Sequence, residues 1–180
     1  MDIETFVERS LGRWRSQRSS HNLAFQHSEE VLSTVDIVPV AASDASVAEL
    51  CKAQGFEPGA AVAPFHMAWQ GESDWDDDEK TKGSCLLVPI ADPDGVATQG
   101  KLLRSKGYAE EMPAVGEYRF TEEGVFVLIT PYDRASAEER IWFGTPNLRF
   151  RVSMIRTSDG QGVLTASFAS EIRAKAEPSA

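Results

Sequence analysis

The chain has 180 residues, and 28 acidic against 18 basic side chains leave a net charge of −10. That balance excludes a general nucleic-acid binder, which needs a basic surface. A hydrophobic share of 42% with 26% charged residues excludes global disorder, and two cysteines, Cys51 and Cys85, are too few for a disulfide framework.

The first element in chain order is a helix. Ile3, Phe6, Val7, Leu11 and Trp14 recur at three- and four-residue spacing, which predicts a helix over 2–16 capped by Asp2. A short second helix is expected over 44–54, with Val47, Leu50 and Cys51 as its inner stripe and Gly55 as its stop. The remaining segments favour strands: 31–40, 61–71, 84–90, 101–108, 115–120, 125–131, 139–144, 148–156 and 163–173. Asp92-Pro93-Asp94-Gly95, Thr121-Glu122-Glu123-Gly124 and Ser158-Asp159-Gly160-Gln161-Gly162 read as hairpin connections between them. About nine strands after one N-terminal helix predict a mainly β chain, a closed antiparallel barrel of lipocalin size. A two-sheet sandwich is the alternative that pattern leaves open.

No apolar run is long enough to span a bilayer, the longest being Val125–Ile129. The acidic start Met1-Asp2-Ile3-Glu4-Thr5 lacks the regions of a signal peptide. The expectation is one soluble, cytoplasmic domain over 1–180, with 174–180 as a flexible tail.

Strand alternation sorts the chemistry-bearing residues. In Leu148–Arg156 one face is Arg149, Arg151, Ser153 and Ile155, and the other is Leu148, Phe150, Val152 and Met154. Pattern alone favours the apolar face inward and both arginines in water. The reverse would aim two guanidinium groups at an anionic ligand. Glu171 shares a face with Thr165, Ser167, Ala169 and Arg173; it reads either as a surface ion-pair partner or as an interior acid or acceptor. Met67 and Trp69 share a face and suit a core or an aromatic pocket wall. The acidic run of Glu72, Asp74, Asp76, Asp77, Asp78 and Glu79 reads as a solvated loop. A metal site would need a second ligand cluster, which is not found, so no metal is expected. Neither an HExxH helix, a Gly-x-Ser-x-Gly elbow nor a phosphate-binding glycine loop occurs.

Several stretches, in order, resemble the S-type phycobiliprotein lyases, the CpcS/CpeS family. They are Gly12-Arg13-Trp14-Arg15-Ser16-Gln17-Arg18-Ser19-Ser20-His21, Met67-Ala68-Trp69-Gln70-Gly71 with Trp75, and Gly100-Lys101-Leu102-Leu103-Arg104 with Gly107-Tyr108-Ala109-Glu110. Glu138-Glu139-Arg140-Ile141-Trp142-Phe143, Pro146-Asn147-Leu148-Arg149-Phe150-Arg151 and Ser170-Glu171-Ile172-Arg173 complete the set. The resemblance implies a lipocalin-like barrel. It implies non-covalent binding of a linear tetrapyrrole and its thioether attachment to a cysteine of a phycobiliprotein α or β subunit. The phycobilin, such as phycoerythrobilin or phycocyanobilin, is then a substrate, and no cofactor is expected. Arg149 and Arg151 become inward partners of its propionates, Arg18, His21 and Ser153 further contacts, and Met67, Trp69 and Trp75 the pocket wall. Glu139 and Glu171 become the catalytic carboxylates, accepting from pyrrole nitrogens or helping to protonate the bilin. A homodimer is left open, and an algal source would imply the plastid stroma. The competing reading is a non-catalytic carrier for a bilin or another apolar anion.

Overall fold

The apolar spacing that starts at Ile3 folds as α1 (Ile3–Ser10), with the Asp2 carboxylate accepting from the Thr5 N–H at 2.8 Å. The helix ends well before residue 16. Gly12 takes a φ of +113°, which favours glycine, and the chain continues as strand β1 (Gly12–Asn22). Leu11 and Trp14 thus imitate a helical period across a helix–strand junction. In the computed structural model the described residues are 1–23, 25–73, 76–92, 94–106, 113–157, 159 and 162–174, side chains being described outside 72–81.

The remaining elements are β2 (His27–Pro39), α2 (Ala45–Ala53), a 3-10 turn (Pro58–Ala60), β3 (Phe65–Ser73), β4 (Asp76–Ala91), β5 (Gln99–Arg104), β6 (Ala114–Phe120), β7 (Phe126–Pro131), β8 (Ala135–Thr145), β9 (Leu148–Thr157) and β10 (Val163–Arg173). Each strand pairs antiparallel with the next, and β1 pairs with β10 to close the ring, Ser16 opposite Glu171 and Arg18 opposite Ala169. The result is a closed barrel of ten strands. The sandwich alternative falls, and the strand missing from the sequence count is β1. Closure leaves no free sheet edge among these strands.

Two other expectations are corrected. The second part of the acidic run, Asp76–Glu79, belongs to the backbone of β4 rather than to a loop. Strand β5 starts at Gln99 and ends at Arg104, short of the expected Tyr108. Asp74, Trp75, Gly107 and Tyr108 lie outside the described residues, as does the expected tail from 175 on.

Antiparallel alternation puts α1 and the β2–β3, β4–β5, β6–β7 and β8–β9 connections at one end of the barrel. That end is filled. Phe6 of α1 stacks on Phe126 at 4.3 Å and meets Phe120 and Phe143 edge-on at 5.7 and 6.0 Å. Ile3, Val7, Trp14, Leu102, Tyr118 and Leu128 belong to the same buried cluster. Outside the barrel, α2 lays Val47, Leu50 and Cys51 over Leu86, Val88, Ile90 and Leu103. The expected inner stripe of α2 is the observed one, and Asp44 caps it by accepting from Ser46 N–H at 2.9 Å.

Strand β9 explains why its polarity misleads. Its outward Phe150 packs against Phe168 at 5.9 Å and Trp142 at 5.4 Å, an apolar layer on the convex face. That face is incompletely covered: Phe168 is 46% and Ile172 58% exposed. No helix among the described residues is long and apolar enough to cross a membrane.

Candidate functional site

With Phe150 and Val152 outward, alternation turns Arg149, Arg151 and Ser153 into the barrel. Register brings Glu171 of β10 beside Arg149 and Ala169 beside Arg151, while Glu139 of β8 lies opposite Ser153. Arg104 of β5 reaches the same interior. The four strands build a ladder of buried ion pairs. Arg104 Nη1 donates to Glu139 Oε2 at 2.7 Å, Arg151 Nη1 to Glu139 Oε1 at 3.4 Å, and Arg151 Nε lies 3.6 Å from Glu171 Oε1. Arg149 Nε donates to Glu171 Oε2. The side chains of Arg104 and Arg149 are 5% and 1% exposed, and that of Arg151 is 15% exposed.

Electrostatics fixes the charge states at the far end of the ladder. Burial drives the Glu171 carboxyl upward, but the adjacent Arg151 and Arg149 guanidiniums outweigh it and hold the group below the ordinary carboxylate range. Burial pushes Arg149 down to about 10 against the pull of Glu171, so both partners are charged at neutral pH. For Arg104 burial lowers and the Glu139 charge raises, and the net direction is upward. Two cations flank the Trp14 ring, Arg149 at 4.7 Å and Arg173 at 4.2 Å from its centre. Arg173 in turn donates to the carbonyls of Arg9 at 2.8 Å and Pro146 at 3.3 Å, tying α1 and the β8–β9 turn to the foot of the ladder.

Above the ladder is a cavity of about 380 Å³, within the range of small-molecule sites. Arg151, Ser153, Glu171 and Arg104 form one side; Met67, Trp69 and Cys85 form the other; Arg18 and Lys106 also line it. The Trp69 ring lies over Gly83, where a Cβ would come within 2.4 Å of the indole, so only glycine leaves room for this ring position. Buried donors with no acceptor among the described residues include Arg18 Nε and Ser153 Oγ in this cavity and Arg149 Nη2 deeper in the barrel. Buried polar groups are nearly always satisfied, so such donors mark a place for acceptors from elsewhere. A broader groove of about 1190 Å³ outside β1–β4 shares Ser16, Ser33, Trp69, Gly71 and Lys106 with this cavity but holds none of the ladder.

Of the residues singled out from sequence, Arg18, Met67, Trp69, Arg151, Ser153 and Glu171 line this cavity. Glu139 and Arg149 sit deeper, lining a small void of about 40 Å³ beneath it with Arg104 and Arg151. His21 does not join them. On β1 the inward positions are Trp14, Ser16 and Arg18, and odd-numbered parity leaves His21 exposed on the convex face. Trp75 lies outside the described residues. Arg104 is the member that sequence reasoning missed. Its parity with the buried Leu102 on β5 was the available signal. Among the described residues no group of three His, Cys, Asp or Glu is placed to hold a metal.

Comparison with known proteins agrees with this architecture. The family described as CpeS-like protein matches residues 2–174. A chromophore lyase CpcS/CpeS of Trichodesmium erythraeum is 62% identical, covering 96% of this chain and 99% of its own length. A chromophore lyase CpcS/CpeS of Thermosynechococcus vestitus is 43% identical over 96% of this chain and 93% of its own length. The solved structure of the S-type phycobiliprotein lyase CpeS from Guillardia theta superposes with a TM-score of 0.85 at 51% identity, covering 98% of this chain and 95% of that one. A match this long, on a barrel of the same form, means that the chain belongs to the CpeS-like family.

Proposed function

We propose that the chain binds a linear tetrapyrrole non-covalently in the barrel cavity and catalyses its thioether attachment to a cysteine of a phycobiliprotein subunit. The observation that carries this reading is the pair of unanswered donors, Arg18 Nε and Ser153 Oγ, in a cavity walled by Trp69 and Met67, with Arg149 Nη2 unanswered deeper in the barrel. A bilin supplies what such a cavity lacks: two propionates and ring carbonyls as acceptors, and flat pyrrole rings for the indole. The names of the relatives, chromophore lyase and phycobiliprotein lyase, support the same chemistry.

In the reaction the acceptor thiol adds across the exocyclic ethylidene double bond of ring A. Sulfur takes the ethylidene carbon, the thiol proton ends on the neighbouring ring carbon, and no oxidant or reductant is consumed. Glu171, held as a carboxylate by two arginines, is an acceptor at neutral pH rather than a proton donor. Its part is to receive pyrrole N–H groups and to favour the protonated, more electrophilic bilin. Glu139 lies deeper in the same interior, where it accepts from Arg104 and Arg151 and is a second carboxylate for pyrrole N–H groups that reach it. The cavity contributes by holding one conformer of a flexible chain with its reactive end toward the open side of the barrel.

The test is reconstitution with free bilin and apo-subunit. A lyase gives a coloured adduct on one acceptor cysteine that survives denaturation. A complex that washes away, with no adduct above the rate without the chain, would make it a carrier instead.

A further inference from the structure

The outward face of β10, β1, β2, β3 and β4 runs against the charge of the chain. Register sets Ile172, Arg15, Thr34, Gln70 and Lys82 in one row across these five strands, each directly opposite the next. Arg15 and Lys82 stand three strands apart, about 14 Å at ordinary strand spacing. Both are exposed, and neither has an ion pair among the described residues. In the row beneath, Asp36 holds Arg13 at 2.7 Å, and Ala68 and Ser84 are small, which leaves the groove of about 1190 Å³ open. Four cations line that groove, Arg13, Arg15, Lys82 and Lys106, against the single carboxylate of Asp36 among the described residues, although the chain as a whole carries −10. Leu32 and Ile172 line it as well, 60% and 58% exposed. Exposed apolar side chains beside unpaired cations in a concavity make a surface for another protein.

Resting on the attachment reading above, we infer that this groove is where the acceptor subunit docks, through an acidic face of that subunit. Two features select this occupant. The cations ask for carboxylates, and opposite potentials steer encounter and fix register. The second feature is continuity with the cavity: Ser16, Ser33, Trp69, Gly71 and Lys106 line both spaces, so a partner seated in the groove lies against the wall that holds the bilin. Strands β3 and β4 carry Glu72 and Asp76–Glu79 toward their hairpin end, which directs an acidic partner to the row of Arg15 and Lys82 and away from that end. Leu32 and Ile172 supply the apolar contact between the charges.

The test follows attachment as a function of apo-subunit concentration, with bilin affinity titrated separately. Arg15→Glu with Lys82→Glu should raise the KM for apo-subunit about tenfold or more and leave kcat near the parent's. Bilin affinity should stay within about twofold, since neither residue lines the cavity. Arg119→Glu with Arg140→Glu, an equal change of charge at exposed positions of β6 and β8, should leave KM near the parent's. Raising salt from about 0.05 to about 0.5 M should raise the parent's KM and narrow its gap to the Arg15→Glu, Lys82→Glu variant. An unchanged KM in that variant would overturn the inference, as would an equal rise in the β6–β8 control. Association of the chain with apo-subunit, measured by sedimentation without bilin, keeps the two readings apart. A parent that forms no adduct refutes the attachment reading, while loss of subunit association in Arg15→Glu with Lys82→Glu still supports the docking face. Self-association of the chain that the same substitutions abolish, with subunit binding intact, would make the groove a contact between copies and overturn the inference.

Discussion

Arg149 and Glu171 are the pair on which the site's stability turns. Both are buried, and each has the other as its closest charged partner. Breaking such a pair leaves an uncompensated charge in the interior, which costs about 3–5 kcal/mol. Arg149→Leu should therefore lower the urea midpoint sharply, and Arg149→Leu with Glu171→Leu should recover part of the loss. Acid titrates the same pair. The folded Glu171 carboxyl lies below its ordinary value, so its ionised form stabilises the fold above about pH 4 and that contribution disappears as pH falls through the folded value. Melting temperature followed from pH 7 to pH 3 should drop, and Glu171→Gln should flatten the drop; parallel curves would exclude Glu171 as its source. Fluorescence reports on the cavity. Trp14 is fully buried beneath the ladder and Trp142 lies outside on the convex face, whereas Trp69 lines the cavity. Bilin titration should quench tryptophan emission, and Trp69→Phe should remove a large part of that quench. Neither cysteine is needed for the addition written above. Cys51 is buried on the inner face of α2 and Cys85 is 2% exposed, so replacing both by Ser should leave attachment to the acceptor intact, as read by the denaturation-resistant adduct.

At the scale of elements, the packing of β3 on β4 sets the width of the cavity through Gly83. A methyl group there would collide with the Trp69 ring and push it into the ligand space. Gly83→Ala should accordingly weaken bilin binding more than it lowers stability, measured by titration and by urea unfolding of the same preparation. The α1 plug works through Phe6, whose truncation to Ala should cost about 3–5 kcal/mol because it empties an aromatic cage. These elements were unequally legible in the sequence. Helix α2 announced itself by its apolar stripe and the Gly55 stop. Strand β1 did not, because Leu11 and Trp14 extend the helical spacing of α1, and the Gly12 turn between them leaves only a lone glycine as its signal. The direction of Arg149 and Arg151 was undecidable from alternation, since Phe150 finds apolar neighbours in Trp142 and Phe168 on the outside. Those neighbours come from other strands, and register is a tertiary fact. The family resemblance supplied the direction, and the register of β8, β9 and β10 agrees with it.

For the molecule as a whole, the barrel class could be read from repeated short strands and hairpin signals, but its closure could not. The β1–β10 pairing joins Trp14 to Arg173 across nearly the whole chain, and no local pattern encodes such a contact. For the same reason the partnership of Arg104 with Glu139, from strands that are not neighbours in the sheet, was invisible before the ring was assembled. Because the cavity lies inside a closed wall, a bilin bound there as proposed should raise the melting temperature by mass action, about 2.7 kcal/mol of added stability at a hundredfold excess over Kd, with little change in far-ultraviolet circular dichroism. The filled end has a kinetic corollary. With that end stoppered by Phe6 and its aromatic neighbours, entry and exit share the opposite end among the described residues, so the occupant must depart before a successor can enter. Exchange of one pigment for another should then proceed at a rate set by departure alone, and raising the concentration of the newcomer should not hasten it.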